Sequence, residues 1–293
     1  MRSLRLGAAV VVFLLGGCSS AATSAPSGSE RASAAPSASG STSPAASSVI
    51  ASPEAGLLLV AIGDSIPFNS PDDCPGCTGF VNRYGEALSE ASGTPVKVLN
   101  DSEHNSNTVG MLLQEVSDSP KLRTDLAAAD AIIVGIAHND APMNRDDDSC
   151  DGAGGENPDW SKFTDACIAT EVARFTPKYQ GVYETVAKLR GTKPTILRTI
   201  NRYNDWNGWP DHDLSAAGVA ATVKIIKAWN EMICGAANSN GFICADISTR
   251  FNGTDGKTPS GDLLAKDYTH PSEKGNEAIA KVLIDLGFAP LVA

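Results

Sequence analysis

From residue 57 onward, short apolar runs alternate with stretches in which apolar residues recur every three or four positions. The runs are Leu57–Ile62, Val96–Leu99, Ala131–Ile136, Thr195–Ile200 and Phe242–Ile247. Each is too short for a typical helix and rich in Val, Ile or Leu, the pattern of a strand covered on both faces. The stretches between them carry helical spacing. Phe80, Tyr84, Ala87 and Leu88 mark one helix, and Met111, Leu112, Glu115 and Val116 a second with Thr108 as its N-cap. Val182, Val186 and Leu189 mark a third, Val219, Val223 and Ile226 a fourth. A last helix runs from about Ser272 past Ile279 and Leu283, opened by Pro271-Ser272-Glu273. Strands alternating with helices predict an α/β fold with a five-stranded, doubly wound parallel sheet and right-handed crossovers.

The periodic pattern does not reach the N-terminus. Arg2 and Arg5 precede the apolar run Leu6 to Leu15, and Leu15-Gly16-Gly17-Cys18 follows. A basic start, a short apolar core and small residues before a cut predict an export signal over residues 1–18, too short for an ordinary spanning helix. Cysteine at that position resembles the lipoprotein cleavage box and makes Cys18 the expected lipidation site; a plain secretory signal is the alternative. Residues 19–56 are nearly all Ser, Ala, Pro, Gly and Thr. Such a segment buries too little apolar surface to offset its ordering entropy, and it is expected to be a disordered tether. The remainder, 57–293, has the length of one domain with its own core. The expected location is extracytoplasmic, lipid-anchored to a bacterial membrane or secreted.

Charge narrows the partners. The whole chain carries −11, and the domain is slightly more acidic, since Arg2, Arg5 and Arg31 fall outside it against Glu30 and Glu54. That disfavours nucleic acid and a polybasic membrane surface, leaving the N-terminal anchor as the only expected membrane contact. A neutral substrate is favoured over a strongly anionic one, and a monomer is expected. Apart from Cys18 the cysteines fall as Cys74/Cys77, Cys150/Cys167 and Cys234/Cys244. An even set in an exported chain reads as disulfides, and sequential pairing is expected because each bridge then clips a local loop. Cys74-x-x-Cys77 as a redox or zinc pair is the alternative; no second Cys-x-x-Cys lies nearby.

In doubly wound sheets, ligands bind outside the carboxyl ends of the strands. Gly63-Asp64-Ser65-Ile66 follows the first run, Asn100 to Thr108 the second, and Ala137-His138-Asn139-Asp140 the third. Asp267-Tyr268-Thr269-His270-Pro271 leads into the last helix. These four segments are expected at one edge of the sheet. There Ser65 needs a base to become a nucleophile, and His270 is the candidate. Asp267, three residues earlier, is placed to hold the other ring nitrogen and stabilise the imidazolium. Acyl transfer also needs donors for the oxyanion: the Asn139 side-chain amide, the Ser65 backbone N–H, and a backbone N–H after the second strand. Asn105 is the choice there, since Asn tolerates positive φ. Taken singly, each motif is also an ordinary turn or helix cap. His104 and His138 lie in the site loops as pocket-lining or structural residues, and His212 is a rival base. Asp146-Asp147-Asp148 with Asp151 is an acidic loop, more a solvated loop than a calcium site. Tyr203, Trp206 and Trp209 either rim the site or pack beneath it.

Together Gly63-Asp64-Ser65-Ile66, Asn105, His138-Asn139-Asp140 and Asp267-Tyr268-Thr269-His270-Pro271 resemble the sequence blocks of the SGNH (GDSL-type) hydrolases, over about residues 57–290. The resemblance implies a flavodoxin-like three-layer α/β/α sandwich and an esterase, lipase or carbohydrate acetylesterase working without metal or cofactor. It implies Ser65 as nucleophile, His270 as base, Asp267 as third triad member, and Ser65, Asn105 and Asn139 as the oxyanion hole. Two positions depart from the family pattern: Asn105 falls where glycine is usual, and Ala137 replaces the glycine of Gly-x-Asn-Asp. The expected substrate is a short-chain or acetyl ester of a neutral glycan or small molecule. A lipase for longer acyl chains and a non-catalytic glycan-binding lipoprotein are the alternatives.

Overall fold

Strand β1 (Leu57–Gly63) lies second in the sheet. It pairs in parallel with β2 (Val96–Asn100) on one side and β3 (Ala131–Gly135) on the other. The computed structural model, which describes residues 56–152, 158–209 and 214–292, continues the sheet through β4 (Ile196–Ile200) and β5 (Ile243–Ala245), all parallel, in the order β2-β1-β3-β4-β5. Cys18, the Ser/Ala/Pro segment up to Ala55, and His212 lie outside the described residues.

Eight α-helices are described: α1 (Ser65–Phe68), α2 (Phe80–Ser92), α3 (Val109–Asp118), α4 (Pro120–Ala128), α5 (Asp165–Arg190), α6 (Ala216–Asn238), α7 (Ile247–Asn252) and α8 (Glu273–Asp285). The two faces of the sheet are buried in two separate cores. Val60, Ile62, Ile132 and Val134 point into a core with α3, α4, α5 and α6. Leu59, Ala61, Ala131 and Ile133 point into one with α2, α7 and α8. Successive strand residues alternate between these cores, so both faces are apolar and the strands read as unbroken hydrophobic runs. The result is the three-layer α/β/α sandwich expected from the sequence.

The structure differs from the sequence reading at some elements. The run Phe242–Ile247 yields only the three residues of β5, because Asp246 caps α7 by accepting the Thr249 N–H and Ile247 already belongs to that helix. The pattern also missed α4, in which Leu122 and Leu126 are the only buried residues; Ser119 caps it and Pro120 opens it. Helix α5 spans 26 residues and runs through Pro177, well beyond the expected segment around Val182–Leu189.

The connections from β1 set up the site. Helix α2 packs on one face of the sheet, whereas α3 and α4 return along the other. Crossovers leaving on opposite faces make a switch point between β1 and β3, where loops diverge and leave a crevice. Gly63 and Gly135 are register partners at that point. A Cβ on Gly63 would lie 1.8 Å from the Gly135 carbonyl oxygen, and Gly63 has φ +151°. Only glycine allows the strands to close there before the chain turns.

Three disulfides, Cys74–Cys77, Cys150–Cys167 and Cys234–Cys244, join the cysteines sequentially. The first lies in the α1–α2 loop, the second ties a loop to the start of α5, and the third ties α6 to β5. Among the described residues, no helix is long and apolar enough to cross a membrane.

Candidate active site

Ser65 occupies the first position of α1, immediately beyond β1, and is buried. Its N–H lies at a helix start, where backbone donors have no intrahelical partner. The turn is fixed by Asp64, whose Oδ1 accepts the Ile66 N–H at 3.0 Å. Its Oδ2 accepts the Ala137 and His138 N–H groups at 2.9 and 3.2 Å. One carboxylate thus ties the loop after β1 to the loop after β3. Burial raises the Asp64 pKa despite these donors and the nearby Arg202 charge.

His270 sits in the loop before α8. Its Nδ1 lies 2.7 Å from Asp267 Oδ2, and Asp267 Oδ1 accepts the backbone N–H groups of Thr269 and His270, both at 3.0 Å. Tyr268 takes φ +57° so that the chain can wrap around this carboxylate. Burial works against the His270 imidazolium, but the Asp267 hydrogen bond and the Asp267, Asp73 and Asp64 charges outweigh it, and the pKa rises above the usual imidazole value. Asp267 also feels burial, yet the donors from His270 and Thr269 hold its pKa below the usual carboxylate value. His270 Nε2 is buried and makes no hydrogen bond among the described residues. It is therefore not bonded to Ser65 Oγ, and such contacts are often loose before substrate binds.

Hydrogen bonds hold the two halves of the site in place. Asn276, in the first turns of α8, donates through Nδ2 to Asn69 Oδ1 at the end of α1 and to the Pro271 carbonyl, at 3.0 and 3.3 Å. Its Oδ1 accepts the Phe80 N–H at 3.0 Å. Tyr203 Oη donates to the Thr269 carbonyl at 2.6 Å, and its ring packs 4.6 Å from that of His138. Burial drives the His138 pKa well below normal, with the Arg202 and His270 charges acting in the same direction, so the ring is neutral. Tyr203 and Trp206 are both buried, so neither forms a rim: Tyr203 packs against His138, and Trp206 belongs to the core on the opposite face of the sheet.

Asn139 is half-buried, and its Nδ2 donates to the Asn107 carbonyl at 2.9 Å. The loop after β2 departs from the expectation placed on Asn105. Asn105 is exposed, and the residue in the left-handed region is its neighbour Ser106, at φ +52°. The buried asparagine of this loop is Asn107, whose Nδ2 donates to the Gly63 carbonyl at 3.2 Å. Sequence reasoning missed Asn107; its one cue was its place just before the Thr108 cap of α3. Asp140 also does work that its motif does not disclose. Its Oδ2 accepts the Val109 N–H at 2.9 Å and the Tyr179 hydroxyl at 3.3 Å, fixing the start of α3. Burial, with the Asp64 charge adding to it, pushes the Asp140 pKa to about 7.

The acidic loop is accounted for within the protein. Asp147 pairs with Arg145 and Arg174, and Asp148 accepts the N–H groups of Cys150, Asp151 and Gly152. His104 lies beside the site, its ring stacked 5.4 Å from Phe68 of α1 and its Nε2 3.0 Å from Asp73 Oδ2.

A serine at the switch point, a half-buried imidazole held by a carboxylate and a nearby asparagine amide are the parts of a hydrolase site. The chain belongs to the GDSL-like lipase/acylhydrolase family, whose sequence profile matches residues 61–278, and is thus an ester hydrolase. No curated protein matches it in sequence. Among solved structures it is similar to the lipase Lip_vut3 from a goat rumen metagenome, at TM-score 0.62 and 20% identity over 80% of this chain and 99% of that one. It is also similar to the acetyl xylan esterase AlAXEase, at TM-score 0.51 and 16% identity over 79% of this chain and 100% of that one. TesA is similar at TM-score 0.51 and 13% identity over 80% and 99%. At these identities the likeness is one of fold.

Proposed function

We propose that the protein hydrolyses short-chain acyl esters, acetyl esters foremost, carried by a neutral glycan or small molecule, through an acyl-enzyme on Ser65. The observation that carries this reading is the 2.7 Å contact between Asp267 and His270 Nδ1, which leaves Nε2 without a hydrogen bond among the described residues and available as a base. Ser65 Oγ attacks the ester carbonyl carbon while Nε2 takes its proton. The resulting imidazolium is stabilised by Asp267 and returns the proton to the leaving alkoxide. Water then loses a proton to Nε2, attacks the acyl carbon and releases the acid, with Ser65 recovering the proton.

The oxyanion is met by the Ser65 N–H at the start of α1 and by Asn139 Nδ2, which has a second hydrogen beyond the one given to Asn107. The exposed rings of Phe68 and Tyr268 flank the serine and histidine loops and offer apolar surface to an acyl group or a sugar face. Burial of Tyr203 and Trp206 removes two of the aromatic residues that a wider apolar rim would have used, which favours small acyl groups. Export through residues 1–18, with lipid on Cys18, would hold this activity outside the cytoplasm, where polymer-linked esters are met.

The test is hydrolysis of a p-nitrophenyl acyl series from acetate to palmitate, run beside acetylated polysaccharides. Ser65→Ala should lower kcat on the order of 10⁴–10⁶-fold. Equal rates for Ser65→Ala and wild type would sink the acyl-enzyme, and a maximum at long chains would replace the substrate class with a lipid ester.

A further inference from the structure

Asp73, His104 and His270 converge in a way the ester reaction does not require. Asp73 comes from the α1–α2 loop, next to the Cys74–Cys77 disulfide; His104 comes from the loop after β2, and His270 from the loop before α8. One donor atom from each lies within 4.8 Å of the other two. Asp73 Oδ2 is 3.0 Å from His104 Nε2 and 3.5 Å from His270 Nε2. Ligand atoms about 2.1 Å from a tetrahedral zinc stand roughly 3.4 Å apart, so these separations already bracket the edge of such a site. The donor set, two imidazoles and one carboxylate with a fourth position open, is one that zinc takes.

Two further observations point to a cation. His270 Nε2 is buried without a hydrogen-bond partner, although a carboxylate oxygen stands beside it. Its Nδ1 is held by Asp267, the outer carboxylate contact that fixes the tautomer and raises the basicity of a metal-binding histidine. His104 is braced in turn by its stack on Phe68. The three ligands come from three separate loops.

We propose that Asp73, His104 and His270 form a divalent-cation site, best suited to zinc, whose occupation switches the esterase off. The cation accepts the Nε2 lone pair of neutral His270, and no proton or electron changes hands. That lone pair is the one needed to take the Ser65 proton, so metal and catalysis exclude each other. The inhibitory half rests on the reading of His270 as the base; the binding half does not.

The experiment titrates zinc chloride into mature, chelator-treated protein by calorimetry, in parallel with p-nitrophenyl acetate hydrolysis over the same zinc range. One zinc should bind per chain, with the inhibition constant equal to the dissociation constant. Loss of an outer contact to a metal ligand costs about 10–100-fold in affinity, and removing a ligand itself should cost at least as much. His104→Ala and Asp73→Ala should therefore weaken zinc binding by about 100-fold, and each should keep its own metal-free rate at zinc levels that silence the wild type. His104→Gln, which keeps volume against Phe68, replaces His104→Ala if the latter fails to fold. Absence of stoichiometric zinc binding, or binding unchanged in the Asp73 and His104 variants, would overturn the site. Ligand-dependent binding with an undiminished rate would overturn the inhibition and, separately, the assignment of His270 as base.

Discussion

At the scale of single residues, His270 carries the main consequence for pH. As the proposed base it must be neutral, and its pKa is raised above the usual imidazole value, since the Asp267 contact and nearby charges outweigh burial. The acid limb of kcat/KM should therefore lie above about pH 6.5, the value of an unperturbed histidine. Asp267→Asn removes the largest raising influence and leaves burial, which lowers the pKa. The limb should then move to lower pH, and kcat should fall on the order of 10⁴-fold. A limb that stays in place would show that Asp267 does not set the base. For Asn139→Ala, kcat on p-nitrophenyl acetate should drop roughly 10²–10³-fold, and an unchanged kcat would remove Asn139 from the oxyanion hole. Asn139 was legible because its motif stands at a strand end, and Asp267 and His270 because theirs leads into the last helix. Ser106 and Asn107 were not, because positive φ at Ser106 and burial of Asn107 arise from how the loop meets β1. Reading Asn105 as the left-handed residue missed by one position for the same reason.

Elements are where the sequence was read most easily and where it was also misread. The strands announced themselves because both faces of the sheet are covered, so their residues are apolar without alternation. Helices α4 and α7 stayed hidden, since one buries a narrow strip and the other is a single capped stretch of six residues. Two predictions belong here. Gly63→Ala should prevent the close approach of β1 and β3, since its Cβ would overlap the Gly135 carbonyl oxygen. Soluble expression or thermal stability should be lost along with activity, and a stable, active Gly63→Ala protein would contradict the packing. Asp140 joins the loop after β3 to the start of α3 with a pKa raised to about 7. Its folded pKa exceeds its unfolded value, so between about pH 4 and 7 the native state binds more protons and stability falls as pH rises. Asp140→Asn removes that dependence. The difference in melting temperature, wild type minus variant, should therefore decline from pH 5 to pH 8; a flat difference would mean that Asp140 does not titrate in this window.

For the molecule as a whole, the three disulfides supplement two cores that already enclose the sheet. Cys150–Cys167 spans 17 residues and closes the acidic loop onto α5. By loop-closure entropy its removal should cost roughly 3 kcal/mol. Cys150→Ser with Cys167→Ser should lower the denaturant midpoint while leaving kcat close to wild type, because neither residue supplies a group to the serine, histidine or asparagine of the site. A midpoint unchanged from wild type would mean that the loop is already closed by Asp147, Arg145 and Arg174. The overall architecture was legible from the order of apolar runs and helical stretches alone. The strand order β2-β1-β3-β4-β5, and with it the switch point between β1 and β3, was read only in the structure.

The small amide of Asn276 bears on when the enzyme can act. It reaches Asn69 at the end of α1 across 207 residues of chain, and through the Pro271 carbonyl it also holds the loop that carries His270. A nascent polypeptide leaving the ribosome presents Ser65 long before it presents His270 or the asparagine that locks the two together. With Ser65 and His270 acting together as proposed, ester cleavage is withheld until the whole intervening stretch has folded around the sheet. The order in which the chain is made and folded thus acts as a clock.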